Sequence, residues 1–281
     1  MADEETGWRI VNWVWDRREA IGQLIGNLRD WFSGKGKPES TPGILILGPG
    51  GVGKTTLARF LSGRYDLLLD PPGLYNEDLG IEEFTLKDAP GVEVVVPPGQ
   101  RHRRDATWSD LLNDLAAGAY RGVIVVTAFG HHSIPLPNYK DHKLYQGNKP
   151  EFLQSLLSAG RADEMEALLR LLPAVRLCKN KVWLLTVVGK QDLWWPDQAE
   201  VDRHYREGEY AVAIAEALGS SDPRKCQREL AFTSLVISNF TTLSGEKLKL
   251  NASGYDQAHQ IQSLRRLLET VDALRQWEER A

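Results

Sequence analysis

The chain has 281 residues, 42% of them hydrophobic and 26% charged, enough to bury a sizeable core in one large domain or two small ones. It contains no apolar run of roughly eighteen residues, as a membrane helix would need, and its net charge of -4 and pI near 5.9 lack the basic footprint of a nucleic-acid-binding protein. Only Cys178 and Cys226 are present, in no metal-ligand spacing, and the acidic N-terminus does not read as a signal peptide, so a soluble protein of the reducing cytoplasm is expected.

Residues 7–33 carry four of the nine tryptophans (Trp8, Trp13, Trp15 and Trp31), and Ile10, Val14, Arg17, Ile21, Leu24, Leu28 and Trp31 recur at steps of three and four. That spacing predicts an amphipathic helix, followed by a polar linker over 33–43. Its charges nearly balance (Arg9, Arg17, Arg18 and Arg29 against Asp16, Glu19 and Asp30), so its apolar face is expected to meet protein rather than a membrane surface. A second copy of the chain is one such partner.

From Gly43 short apolar runs alternate with helical segments: GILIL, TLARFLSG, EEFTL, VEVVV, WSDLLNDLAAGAY, GVIVVTAF, EMEALLRLL, KVWLLTVV, EYAVAIAEALG and FTSLVIS, then a helix with Ile261, Leu264, Leu267, Leu268, Val271, Leu274 and Trp277. Apolar strands separated by helices predict an α/β fold whose mostly parallel sheet is covered on both faces. The two runs between Phe84 and Val96, joined by Lys87-Asp88-Ala89-Pro90-Gly91, predict a hairpin and hence one antiparallel edge strand. The Pro-, Gly- and polar-rich stretch of about 130–150 is too long for an ordinary connection and reads as an insertion.

Between the first apolar run and the first helical segment lies Gly48-Pro49-Gly50-Gly51-Val52-Gly53-Lys54-Thr55, a G-x-x-x-x-G-K-[ST] pattern. Its glycines let backbone N–H groups, including those of Gly50, Gly51, Val52 and Gly53, converge on phosphate oxygens, and the helix that opens here at Thr55 and Thr56 presents its positive end. Lys54 neutralises β/γ charge, and the Thr55 hydroxyl is a ligand for Mg²⁺. No later strand ends in an Asp or Asp-Glu placed for Walker B duty, which disfavours an ATP-driven motor or kinase.

The cradle and the order of elements after it resemble the Ras-like small GTPases over residues 43–281. The resemblance implies a helical appendage and linker at 1–40 and, at 41–281, a P-loop GTP-binding domain with its insertion at about 130–150. Where that family carries DxxGQ, this chain has Val96-Pro97-Pro98-Gly99-Gln100. Gly99 and Gln100 match, implying an amide that meets the γ-phosphate and a side chain that orients the attacking water. Val96 stands at the Asp position, so carboxylate support of Mg²⁺ is lost or comes from elsewhere. Pro97 and Pro98 stiffen a segment that moves between nucleotide states in the family. No Thr occurs over 65–84, where the first switch loop would cap Mg²⁺, although Asp70, Glu77 and Asp78 lie there.

The family's guanine-reading [NT]KxD corresponds to Gly189-Lys190-Gln191-Asp192, with Gly189 replacing the first residue. Asp192 is implied to accept from guanine's two N–H donors, and Lys190 to pack its stem over the base. Leu235-Val236-Ile237 reads as the last strand, which places Ser238 at the start of the family's Ser-Ala-Lys-like loop. Arg101, Arg103 and Arg104 offer either an arginine finger in cis or a solvated helix start. His131, His132, Asp141 and His142 fit no familiar metal spacing. The implied ligands are GTP or GDP with Mg²⁺, and the implied partners are proteins that meet the N-terminal helix and switch region. The implied activity is slow or partner-dependent GTP hydrolysis in a regulatory switch. Val96 and the missing Thr favour the alternative, a nucleotide-binding scaffold without turnover.

Overall fold

Alternate residues of the central strands are apolar on both sides, and this decides the architecture. In the computed structural model, which describes residues 43–64, 68, 80–85, 93–219 and 225–279, six strands form one sheet: β1 (Gly43–Leu47), β2 (Glu82–Thr85), β3 (Glu93–Val96), β4 (Tyr120–Thr127), β5 (Val182–Val188) and β6 (Cys226–Phe232). Their order is β2-β3-β1-β4-β5-β6, parallel throughout except for β2, which pairs antiparallel with β3 at the edge. This is the mixed α/β sheet expected from the alternating pattern. The Trp-rich segment, its linker and the acids Asp70, Glu77 and Asp78 lie outside the described residues.

Ile44, Ile46, Val94, Val96, Ile124, Val126, Leu185 and Val187 face one side of the sheet. There they pack on α1 (Lys54–Leu61), through Leu57, Ala58 and Phe60. The long C-terminal helix covers the same side through Leu264, Leu267, Leu268, Val271 and Leu274. Leu45, Leu47, Val95, Val123, Val125 and Leu184 point the other way, onto α2 (Arg101–Ala117) and α3 (Lys149–Leu177). The remaining helices are a short α4 (Gln191–Trp194), α5 (Gln198–Arg206), α6 (Glu209–Leu218) and the C-terminal α7 (Gln257–Glu279). The period of two along each strand therefore feeds two separate cores. Trp183 on β5 is fully buried because its neighbour in register is Gly122, where a Cβ would lie 2.0 Å from the indole.

Three elements differ from the sequence reading. The helix expected around 164–172 runs for 29 residues from Lys149, past Pro173 near its end, so it absorbs the last residues of the proposed insertion. The rest of that stretch, including a 3-10 turn at Tyr139–Asp141, builds a small apolar cluster of Ile134, Tyr139, Phe152, Leu193, Phe240 and Leu248. This cluster seats a two-stranded hairpin, β7 (Phe240–Thr241) with β8 (Lys247–Lys249). The last sheet strand is β6, whereas Leu235-Val236-Ile237 belongs to the loop beyond it. An edge strand has one neighbour and is only half-covered, so Gln227, Arg228 and Glu229 are tolerated on β6 and mask it in the sequence. Among the described residues no helix is long and apolar enough to cross a membrane.

Candidate functional site

The parallel strands β1, β4, β5 and β6 end at one edge, and the loops leaving them surround one cleft of about 550 Å³. A crevice beyond the carboxyl ends of parallel strands is where open α/β sheets bind ligands. The end of the Gly-rich turn after β1, Val52 and Gly53, lines one side of it. Gly48, Gly51 and Gly53 have φ of 142°, 73° and 101°, a region that side chains with a Cβ rarely enter. A Cβ on Gly48 would lie 2.2 Å from the Val126 carbonyl oxygen, and one on Gly51 would lie 2.6 Å from the Ser133 nitrogen. At Gly53 a Cβ would have no neighbour within 4 Å, so this residue is glycine for its backbone angle alone. It is the N-cap of α1, and Gly53 and Val52 both line the cleft with Thr56.

Lys54 is 5% exposed and its ammonium donates to the Pro49 carbonyl at 2.9 Å, which folds the charge back over the turn. Thr55 donates through its hydroxyl to Glu82 Oε2 at 2.8 Å, on the edge strand β2. Gly99 lies directly on the turn, for a Cβ there would be 2.3 Å from Lys54 Nζ and 2.4 Å from the Gly48 oxygen. Gln100 is the N-cap of α2, and its Cγ would stand 3.3 Å from a Cβ on Gly50. The four residues Gly50, Lys54, Gly99 and Gln100 are thus brought together.

Pro98 and Gly99 are pinned from α2. Trp108 donates its indole N–H to the Pro98 carbonyl at 3.0 Å, and Arg104 donates through Nε to the Gly99 carbonyl at 2.8 Å. Arg104 is fully buried and its other arm reaches Asp163 at 2.7 Å, so this guanidinium is committed to the turn and to α3. Arg101 is exposed and pairs with Asp163 and Glu166. For these two arginines the structural role replaces the finger.

Lys190, which lines the cleft, occupies a left-handed backbone conformation with φ of 55°, unusual for a residue with a Cβ. Its ammonium donates to the Gly51 carbonyl at 2.8 Å and to the His131 carbonyl at 2.6 Å, which ties the Gly-rich turn to the loops after β4 and β5. Burial pulls its pKa down to about 8, against the raising effect of Asp192 and Glu164. Ser133 adds its backbone N–H and its hydroxyl to the same Gly51 carbonyl, each at 3.1 Å. Gly189 donates its N–H to the Thr127 carbonyl at 2.8 Å, and a Cβ there would meet nothing closer than 3.4 Å, so steric crowding does not account for the missing Asn.

Asp192 is 1% exposed. One carboxylate oxygen accepts from the Ser234 hydroxyl at 2.5 Å and the other from the Ser238 backbone N–H at 3.0 Å. Burial raises its pKa, while Ser234, Ser238 and Lys190 work in the opposite direction. Ser238 therefore contributes its backbone, and the hydroxyl that meets Asp192 belongs to Ser234, which sequence reasoning missed. Its signal lies in Thr233-Ser234, directly after β6 and four residues before Ser238, and is masked by the apolar Leu235–Ile237, which resembles a strand.

A second group missed by the sequence reading is Glu164 on α3, wholly buried. It accepts from the N–H groups of Ala128 and Gly130 at 2.9 Å each and from the Tyr205 hydroxyl at 2.8 Å, and meets His132 at 3.0 Å. Burial pushes its carboxyl up, but hydrogen bonding with His132, Gly130 and Ala128 outweighs this and holds the pKa below the usual carboxylate range. His131 is a packed core residue, with its ring against Phe240 and Nδ1 at 3.1 Å from the Ala128 carbonyl. His142 packs on Phe152, and among the described residues no cluster of acids, histidines and cysteines has metal-site geometry.

No protein-family model matches the sequence, and no curated protein does. Among solved structures, the chain is similar to an ADP-ribosylation-factor-like GTP-binding protein, a small COPII coat GTPase, from Encephalitozoon cuniculi in complex with GDP: 12% identity, 96% of each chain covered, TM-score 0.46. It is also similar to the mammalian SRP receptor (14% identity, 83% of this chain and 99% of that one, TM-score 0.40). A third is the GDP-bound signal recognition particle receptor from Chaetomium thermophilum (15% identity, 82% and 97%, TM-score 0.37). Likeness at this level assigns neither a family nor an activity to the chain.

Proposed function

We propose that the chain is a GTP-binding regulatory protein that hydrolyses GTP to GDP and phosphate slowly or with a partner's help. The observation that carries this reading is the bond from Lys190 to Gly51, which joins a phosphate turn and a buried carboxylate across one cleft. Asp192 supports guanine because a carboxylate suits a ring N–H and an amino group side by side, whereas adenine would oppose a ring nitrogen acceptor to it. Lys54 and the turn's amides hold the phosphates, Gly99 offers its N–H to the terminal one, and Gln100 orients water. Mg²⁺, when bound with nucleotide, neutralises phosphate charge, and the Thr55 hydroxyl is the group that would hold it; a site with few protein oxygens suits this ion. The Trp-rich segment and the switch region are the surfaces for protein partners or a second copy, and the cytoplasm is the place of action.

Phosphate release from GTP and from ATP, with Lys54→Ala as control, tests the reading. GTP turnover that disappears in the variant supports it, and a preference for ATP refutes it. The buried apolar Val96, with Pro97-Pro98 pinned by Trp108 and Arg104 at Pro98 and Gly99, favours a second reading, a nucleotide-binding scaffold. Tight GTP or GDP binding without turnover is its signature.

A further inference from the structure

Strand β4 ends at Thr127, and Ala128, Phe129 and Gly130 then turn their backbone N–H groups to one side. Ala128 and Gly130 donate to Glu164 Oε1 at 2.9 Å each, while Phe129 donates at 3.3 Å to the Tyr205 hydroxyl, which itself donates to Glu164 Oε2 at 2.8 Å. Successive amides arranged in this way form a nest, a concavity that binds anions. Here the anion is a side chain of the protein. The nest is held in shape from outside: Phe129 has φ of 49°, which a residue with a Cβ keeps only where its surroundings over-determine it, and Gly130 follows at 80°. Helix α3 is pressed so closely on this loop that a Cβ on Gly130 would lie 2.1 Å from the Leu157 carbonyl oxygen, and one on Gly160 would lie 2.5 Å from the Gly130 oxygen.

The next residues of the same loop reach the cleft. His131 accepts from the Lys190 ammonium through its carbonyl at 2.6 Å, and Ser133 meets the Gly51 carbonyl with its N–H and its hydroxyl, each at 3.1 Å. Residues 128–133 therefore connect Glu164 to the Gly-rich turn and to Lys190. We propose that Glu164 is a positioning residue for the nucleotide: as the anion of the nest it fixes residues 128–133, and so fixes where the His131 carbonyl and Ser133 hold Lys190 and Gly51. The inference rests on the nucleotide reading above. The charge of Glu164 acts on Lys190 as well. Burial pulls the Lys190 pKa down to about 8, and Asp192 on α4, then Glu164 on α3, oppose that fall. His131, with Lys249 of β8 3.5 Å from its ring, is the other titratable group beside Lys190. Tyr205 stands on α5, so one carboxylate links α3 and α5 to the cleft.

The test is equilibrium binding of a fluorescent GDP to the full chain across the Lys190 titration, in wild type, Glu164→Gln and Tyr205→Phe. Leu274→Ala, in the core on the side of the sheet opposite α3, controls for lost stability. Glu164→Gln keeps the shape and an acceptor for Ala128 and Gly130 but no charge. It is expected to bind GDP on the order of 10-fold more weakly at neutral pH, the size expected when one bond to a charged group is weakened. Wild-type affinity falls as Lys190 loses its proton near pH 8, and in Glu164→Gln that fall moves to lower pH. Tyr205→Phe leaves the carboxylate in place, so it loses less affinity and keeps the wild-type pH profile, and Leu274→Ala binds as wild type does. Glu164→Gln with wild-type affinity and pH profile overturns the proposal and leaves Glu164 as a support of the fold alone. An equal loss of affinity in Leu274→Ala overturns it too. Should Glu164→Gln fail to fold, Tyr205→Phe decides: unchanged GDP affinity overturns the proposal. Wild type that binds no GDP overturns the nucleotide reading and this inference together, an outcome distinct from the others.

Discussion

The two ends of the Gly-rich turn's surroundings, the cleft at Asp192 and the region at Gln100, are built differently. At the Asp192 end almost every polar atom is held from several elements: Lys190 joins the turn to two loops, Asp192 is gripped by Ser234 and Ser238, and Glu164 anchors the loop after β4. At the Gln100 end the hold comes from backbone fit, with Gly99 seated on the turn, Pro98 and Gly99 pinned from α2, and the Glu82 carboxylate on Thr55. Buried polar networks have rigid geometry and fail badly when a member is lost. A close-packed glycine has freedom only while nothing is added to it. On the proposed function, recognition and turnover would rest on separate physical supports, so one could change while the other persists.

The comparison breaks most visibly at Glu164. Glu164→Ala leaves two backbone N–H groups and the Tyr205 hydroxyl without their buried acceptor; a loss of about 3–5 kcal/mol is expected, read from urea unfolding. Glu164→Gln keeps an acceptor and should lose less. Next in size is Asp192→Ala, which removes a charged acceptor for two donors. At about 1.5–3 kcal/mol per such bond, guanine nucleotide affinity should fall by about 3 kcal/mol, roughly 100-fold, with preference over adenine erased. If Asp192→Ala binds GDP like wild type, the Asp192 end does not read the base.

What could be seen in the sequence follows the range of the forces. The turn at Gly48–Thr55 and the strands β1, β4 and β5 obey local demands, positive φ and apolar runs, and were legible. Ser234, Glu164 and Glu82 were not, because each acts on a residue 42, 36 or 27 positions away and looks ordinary beside its neighbours. Arg104 was legible as a charge near the turn, but only packing shows that it is fully buried and bound to the Gly99 carbonyl. Strand β6 was hidden because a half-covered edge needs no apolar run, and the run that stood out, Leu235-Val236, lines the cleft instead.

At the Gln100 end the sharpest probe is Gly99→Ala. Its Cβ would meet Lys54 Nζ at 2.3 Å and two backbone atoms of the turn, the Gly48 oxygen and the Pro49 carbonyl carbon, at 2.4 and 2.5 Å. The lysine tip can move but the backbone cannot without shifting the turn, so a cost of about 1–3 kcal/mol is expected. GTP turnover should fall more than GDP affinity. Equal losses in both would join the two ends that the comparison separates.

The mildest test uses acid. Burial, then the charge of Lys249, bring the His131 pKa down to about 3, against the opposing hydrogen bond with Ala128. Lys190 also lowers it and Glu164 raises it. Above pH 6.5 the ring is neutral in both folded and unfolded chains, and its contribution to stability is fully present. Between pH 6.5 and about 3 the unfolded chain takes up a proton that the folded one refuses, so this stability is lost as the pH falls, by at most about 1.4 kcal/mol per pH unit. Urea midpoints measured from pH 7 to pH 5 should decline, and His131→Gln, which cannot titrate, should flatten that decline. Because the folded ring stays neutral over that interval, its carbonyl remains available to Lys190, and the guanine nucleotide affinity of the folded chain should hold while its stability declines. An acid profile identical in His131→Gln would mean that the Asp192 end is no more sensitive to protonation than the rest of the molecule.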